Sequence, residues 1–352
     1  MKLGLGLYRQ NLDDRNMAFA RQCGCTHIVA HLTDYFAGKN PEISSGDERG
    51  WGVCQGAEPW SQDELDGVVA LAKRHGLKIA ALENLNPAFW HDILLGGPKR
   101  KEQADDLKAL IRRIGKAGIP VLGYNFSLAG VWGWDRGPFA RGGAMSVGMR
   151  SASVDFEKPI PSGMVWNMIY DTEAEGTVAP VSSDELWLRL QFFLDELLPV
   201  AEEAGVALAC HPDDPPVETL RQTARGINHP EKYDRLIAAH HSPMNQVELC
   251  LGSVQEMRSG DVYETAQKFV SAGKVAYIHF RNVKGKVPDY YEVFVDEGDI
   301  DMLRMMRILH ESNFDGVLVP DHTPALECDA PWHAGMAFAL GYMRACMQAV
   351  SS

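Results

Sequence analysis

The chain has 352 residues, 45% of them hydrophobic and 23% charged, with a net charge of −13. That balance is typical of a globular enzyme, and its sign argues against nucleic acid or an anionic membrane surface as a main partner. No run of about 18 apolar residues is available for a membrane span, and the start MKLGLGLYRQ reads as a first strand rather than a secretory leader. The seven cysteines are odd in number and lack a CxxC pair, and Cys23 and Cys25 stand too close for an ordinary disulfide. A reducing, cytoplasmic compartment is therefore expected.

Along the chain, short apolar runs alternate with longer amphipathic ones. Strands are predicted at Lys2–Leu7, His27–His31, Lys78–Leu82, Val121–Phe126, Val206–Cys210, Gln246–Leu251, Val275–Phe280 and Gly316–Val319. Helices fall between and after them at about 13–23, 62–75, 101–117, 183–204, 231–240, 261–272, 299–312 and 332–349. Two helix starts carry a capping box, Ser61 with Glu64 and Ser182 with Glu185. In the helix over 183–204, Leu186, Leu190, Phe193, Leu194 and Leu197 share one face, and Pro199 is expected to kink it.

Eight strands in strict alternation with eight helices predict a single α/β domain over 1–352, a TIM (β/α)8 barrel. A doubly wound open sheet would want a GxGxxG loop after the first strand, and GLGLYRQ supplies none. Two insertions exceed ordinary loop length, about 32–60 after strand two and 127–182 after strand four. In a barrel both would lie on the C-terminal face, as a substrate wall or lid, or as contacts between subunits of a homo-oligomer.

The residues at the ends of the later strands carry the chemistry. Strand five runs into His211, strand six carries Cys250, strand seven His279, and strand eight ends in Asp321. Parallel barrel strands converge at their C-terminal rim, so these four should meet in space. Two imidazoles, a thiolate and a carboxylate suit a borderline transition metal better than calcium or magnesium. Manganese(II), iron(II) and zinc are all admissible for such a ligand set. Each residue also has a plainer reading: Cys250 as a small buried hydrophobe, the histidines as hydrogen-bonding residues, Asp321 as a helix cap.

Around that set, Arg281 is placed to take a substrate carboxylate through its guanidinium fork, or else to pair with Asp213 or Asp214. His322 is a candidate acid or base. Tyr124 ends strand four and is a candidate proton donor. Asn125, Asn282 and Lys284 are candidate substrate-binding residues. His91, His229, His240 and His241 read as ordinary surface residues.

HPDDPP at 211–216, HFRNVK at 279–284 and PDH at 320–322, with GIPVLGYNF at 118–126, resemble the mannonate dehydratases, a family within the xylose-isomerase-like TIM barrels. The resemblance implies metal-dependent loss of water from a small sugar acid, D-mannonate or a related aldonic acid, giving 2-keto-3-deoxygluconate from mannonate. It places the manganese or iron ligands at His211, Cys250, His279 and Asp321, with zinc less favoured, and an acid–base role at His322. Relatives usually read Arg-Pro-Asp-His-Gly here, with a tyrosine soon after. This chain reads Val319-Pro320-Asp321-His322-Thr323, and its next tyrosine is Tyr342, expected inside the last helix. A xylose-isomerase-like sugar isomerase or epimerase is the alternative enzyme class, and a non-catalytic ligand-binding barrel the remaining one.

Overall fold

The computed structural model describes residues 1–35, 37 and 51–351. Residues 36 and 38–50 of the expected 32–60 insertion lie outside the described residues. The eight barrel strands are β1 (Lys2–Leu7), β2 (His27–Ala30), β3 (Lys78–Glu83), β4 (Val121–Tyr124), β5 (Ala207–Cys210), β6 (Asn245–Cys250), β7 (Val275–His279) and β8 (Val317–Val319). They are all parallel, each pairs with the next in sequence, and β8 closes onto β1. The outer helices are α1 (Asp14–Gln22), α2 (Gln62–Arg74), α3 (Arg100–Lys116), α4 (Ser183–Ala204), α5 (Pro230–Ala239), α6 (Val262–Ser271), α7 (Met302–Glu311) and α8 (Pro331–Val350).

Local sequence explains the element ends. Both predicted capping boxes form, Ser61 with Glu64 at α2 and Ser182 with Glu185 at α4. Each satisfies two backbone donors that a helix start otherwise leaves open. The α4 stripe from Leu186 to Leu197 is buried as its spacing requires. The helix continues past Pro199 to Ala204, and Gly205 closes it with φ 68°. Among the described residues, no helix is long and apolar enough to cross a membrane.

The period of two along each strand sorts side chains between two cores. Leu122, Leu208, Leu249, Ile278 and Leu318 face the helices. Val121, Ala81, Ala209, Tyr277 and Val319 fill the barrel's interior. Space there is set by a missing side chain. A Cβ on Gly123 would fall 2.3 Å from Tyr277 Oη and 2.6 Å from Glu248 Oε2.

The insertions cover the barrel's mouth. A hairpin of Trp134–Ala140 and Ala144–Met149 joins one of Val283–Lys286 and Asp289–Glu292 in a four-stranded sheet. Gly52–Val53 pairs with Met168–Ile169, so the two insertions are stitched together. Tyr35, Trp51, Trp166 and Met168 make a small apolar cluster of their own.

Candidate functional site

The residues that matter stand one layer above the apolar barrel interior, at the C-terminal ends of the strands. Continuing the inward-facing register beyond each strand places Tyr8, His31, Glu83, Asn125, His211, Cys250, His279 and Asp321 around the mouth. Above them opens a cleft lined by most of these side chains and by the insertions. Trp51, Trp134 and Trp166 form part of its wall, so both insertions contribute to it.

His211, Cys250 and His279 each bring a donor atom within 4.8 Å of the others. Cys250 and His279 are direct register partners on adjacent strands. His211 Nδ1 lies 2.5 Å from the Pro212 carbonyl oxygen. A carbonyl only accepts, so Nδ1 carries a proton and Nε2 is the nitrogen left to ligate. Burial alone would push the Cys250 thiol up, but Arg281, His211 and His279 outweigh it and hold it well below the usual thiol range. The thiolate is the ligating form. Asp321 stands beside this triple, with Oδ2 3.3 Å from His279 Nδ1. Its φ of 61° is a left-handed conformation that an aspartate visits infrequently. Burial raises the Asp321 carboxyl, yet His279 and His322 bring it well below its ordinary value. A buried thiolate, two imidazoles and an ionised carboxylate converging on an open cleft fit a divalent transition metal.

His322 lies on the cleft wall with Nδ1 2.9 Å from Glu292 Oε1 and its ring edge-on to Trp134. Burial lowers the basicity of its imidazole, but Asp321 and Glu292 prevail and raise it to about 9. Asn125 also lines the cleft. Its Nδ2 donates to the Pro212 carbonyl, while Oδ1 is buried without a hydrogen-bond partner.

Three other sequence candidates stand elsewhere. Tyr124 is the last residue of β4 and points outward, packed against Phe193 of α4 and Cys210. The period of two that turns Asn125 into the cleft turns Tyr124 away from it. Asn282 is buried, and its amide is fully engaged: it donates to the Val295 and Ile300 carbonyls and accepts from the Val283 and Ile300 amides. Lys284 lies in the Val283–Lys286 strand and pairs with Glu297 at 3.1 Å. Neither lines the cleft. Tyr342 is inside α8, away from the mouth.

Arg281 is close to the site but is not free to clamp a substrate. Its guanidinium meets Asp214 at 2.6 Å, Glu256 at 3.3 Å and Asp321 at 3.5 Å, and also pairs with Glu292. One of its nitrogens lies 3.3 Å from Cys250 Sγ and 2.9 Å from Ser253 Oγ. Of its two sequence readings, pairing with Asp214 is what the geometry shows. Asp213 instead faces Arg225 at 3.2 Å and accepts from the Ile227 amide. HPDDPP is thus one metal-type donor followed by two acids that fasten the loop.

Sequence reasoning passed over several residues. Glu248 is two positions before Cys250 on the same strand face, so the period of two was signal enough. Glu83 ends β3 as His211 and Asp321 follow β5 and β8. Both carboxylates approach His279 Nε2, at 3.2 Å for Glu83 and 3.1 Å for Glu248. Burial and the charge of Glu83 raise Glu248 to about 8. Buried His31 and Tyr35 and half-buried Asn84 form a further chain beside Glu83, linked through the Tyr35 hydroxyl.

Residues 1–351 match the profile of the D-mannonate dehydratase (UxuA) family. A mannonate dehydratase of Geobacillus thermodenitrificans is 28% identical over 286 residues, covering 75% of this chain and 76% of that protein. Mannonate dehydratase 2 of Halalkalibacterium halodurans is 26% identical over 310 residues, covering 83% and 88%. The crystal structure of mannonate dehydratase from Streptococcus suis serotype 2 superposes with a TM-score of 0.78 at 25% identity, covering 99% of this chain and 93% of that one. A structure of L-ribulose 3-epimerase, at 14% identity and a TM-score of 0.56, shares the fold. With a cluster of metal-type donors at the mouth of a parallel eight-stranded barrel and a profile match from residue 1 to 351, the chain belongs to the D-mannonate dehydratase family.

Proposed function

We propose that the chain is a metal-dependent hydro-lyase that dehydrates D-mannonate, or a closely related aldonic acid, to the 2-keto-3-deoxy acid. One observation carries this reading: the imidazole and thiolate donors of His211, Cys250 and His279 meet within 4.8 Å at the foot of an open cleft, in a chain that matches the dehydratase family throughout. Asp321 is proposed as the fourth protein ligand. The mixed nitrogen, sulfur and oxygen set admits manganese(II), iron(II) and zinc, and the family resemblance puts manganese(II) or iron(II) ahead of zinc. When bound, such an ion supplies the positive charge that stabilises electron density accumulating on the substrate's carboxylate.

The chain's own residues supply binding and proton transfer. Removing the proton α to a carboxylate needs a base, and loss of the β hydroxyl needs a proton donor. His322 is on the cleft wall with Glu292 holding its Nδ1 side, and is proposed to move a proton at Nε2. Asn125 Oδ1 accepts from a substrate hydroxyl. Trp51, Trp134 and Trp166 exclude water from the reacting carbons and offer apolar faces to the sugar chain's C–H groups. All seven cysteines are unpaired, which supports a reducing cytoplasmic setting.

A second reading has one observation in its favour. Metal-dependent sugar isomerases and epimerases lean on several carboxylates, and Glu83 and Glu248 bring two to the same imidazole. The test is to load the protein with manganese(II) and assay it on a panel of aldonic acids and of free ketoses. Formation of a 2-keto-3-deoxy acid from an aldonate is expected. Turnover of ketoses alone would replace the lyase reading with the isomerase one, and failure of any transition metal to bind would remove both.

A further inference from the structure

Beneath the metal-type donors lies a buried group for which the proposed reaction has no use, made of Glu83, Glu248 and Tyr277. Glu248 is fully buried and Glu83 nearly so. A buried acid is costly to retain unless it is paired or put to use. Both are directed at one atom, His279 Nε2. Nε2 is in hydrogen-bond contact with Glu83 Oε2, and the Tyr277 hydroxyl donates to that same oxygen at 3.3 Å. Gly123 leaves the space that Tyr277 Oη and Glu248 Oε2 occupy, so the arrangement is built into the barrel wall.

The other edge of the His279 ring faces a different set. Nδ1 is 3.3 Å from Asp321 Oδ2, and Arg281 joins Asp321 to Cys250 through contacts of 3.5 and 3.3 Å. One ring edge therefore meets acids beneath the mouth, and the opposite edge meets the proposed ligands. An ionised carboxylate only accepts, so a nitrogen held by Glu83 carries the proton, and a proton that Asp321 holds on Nδ1 is the one a metal displaces. Resting on the metal reading given above, we infer that Glu83 and Glu248, backed by Tyr277, are positioning residues that hold the Nε2–H of His279 and turn its Nδ1 lone pair toward the metal. His211 is fixed in the complementary way, with Nδ1–H on the Pro212 carbonyl, which leaves Nε2 to ligate. The two histidines thus present opposite ring nitrogens, each selected by a fixed acceptor on its far side. Outer partners of this kind orient a ligating imidazole and strengthen it as a donor.

The test uses cobalt(II) as the probe on full-length protein, with affinity read by chelator competition and coordination by the thiolate-to-cobalt absorption band. Glu83→Leu should bind one equivalent about 10- to 100-fold more weakly than the parent, and Glu248→Gln, which keeps an acceptor oxygen, should show a smaller loss. The band should persist, since Cys250 still ligates. Glu83→Gln keeps an acceptor oxygen and should retain more affinity than Glu83→Leu. Tyr277→Phe should show a smaller loss, and with Glu83→Gln it carries the test if Glu83→Leu does not fold. Unchanged affinity in Glu83→Leu and Glu248→Gln would overturn the inference while leaving the metal site standing. A second equivalent of cobalt bound by the parent and lost in Glu248→Gln would overturn it too, by making the carboxylates ligands of their own cation. Absence of cobalt binding by the parent would instead remove the metal reading on which the inference rests.

Discussion

Arg281 makes the sharpest test of how the site is held together. Its guanidinium is buried and touches four carboxylates, those of Asp214, Glu256, Glu292 and Asp321. Replacing it by methionine keeps an apolar stem of similar length and removes the charge. The cost follows from what each acid has left. Glu292 retains His322, and Asp321 retains both His279 and His322. Asp214 retains the Tyr290 hydroxyl and Ser253 Oγ, which are neutral donors. Glu256 has no hydrogen-bond partner for either oxygen. About one full buried pair is therefore broken, which costs roughly 3–5 kcal/mol, a large share of the 5–15 kcal/mol typical of a folded protein. The assay is urea unfolding of the metal-free chain followed by tryptophan fluorescence. The pH dependence has a definite sign. Burial raises Asp214, but Arg281 and Tyr290 bring it below its ordinary value, so in the parent it stabilises above the unfolded pKa. Without Arg281 its folded pKa rises above the unfolded value, and it then costs stability as pH increases. The deficit of Arg281→Met should be small near pH 4 and full at pH 7. A loss under about 1 kcal/mol at pH 7, or one equal at both pH values, would refute the reasoning.

Tyr124→Phe should leave kcat/KM on the aldonate within about twofold, because its hydroxyl is outside the barrel and any larger change exceeds what remote packing explains; the same holds for Lys284→Ala, whose partner Glu297 is away from the cleft. Gly123→Ala should destabilise by about 1–3 kcal/mol in the same unfolding assay, since its methyl meets Tyr277 Oη and Glu248 Oε2 inside a packed barrel. It should also weaken cobalt(II) binding, whereas a methyl placed at the open Gly341 in α8 should do neither.

The barrel itself was legible because its signals are local. Each strand and helix can be read from a window of ten or so residues, and parallel closure then follows from alternation. The strand-end logic also brought His211, Cys250 and His279 to one rim. What it lacked was phase. Tyr124 and Asn125 are adjacent and both polar, yet only one can face inward, and strand ends read a residue or two late blur which. Applied strictly, the same count would have put Glu248 on the face of Cys250 and Tyr124 on the face of Leu122. The surroundings of Arg281 are a different matter. Asp214, Glu256, Glu292 and Asp321 come from four separate segments, and no spacing in the sequence links them. Their convergence depends on loop paths, which is why the sequence left Arg281 open between clamping a substrate and pairing with Asp213 or Asp214, and the structure shows the pairing with Asp214.

The completed site has a charge balance that bears on what it binds. Glu83, Asp214, Glu248, Glu256, Glu292 and Asp321 lie around the Cys250 thiolate, and among the described residues Arg281 is the permanent cation paired with four of these carboxylates, those of Asp214, Glu256, Glu292 and Asp321. In the metal-free chain, protons fill the deficit. Burial works against the imidazolium of His211, but Glu248 and Cys250 raise it to about 9. At neutral pH His211 is therefore protonated before metal arrives, and its Nε2 must lose that proton to ligate. Cys250, already ionised, has none to give. Binding of manganese(II) or cobalt(II) at pH 7 should release protons, and affinity should rise with pH as His211, and His279, whose burial is outweighed by Asp321 and Glu83, give theirs up. Calorimetric titrations in buffers of different ionisation enthalpy measure the release directly. Affinity independent of pH between about 6 and 9, with no proton release, would mean that His211 is neutral at rest or is not a ligand, and the ligand set would then have to be redrawn around Glu83, Glu248 and His279.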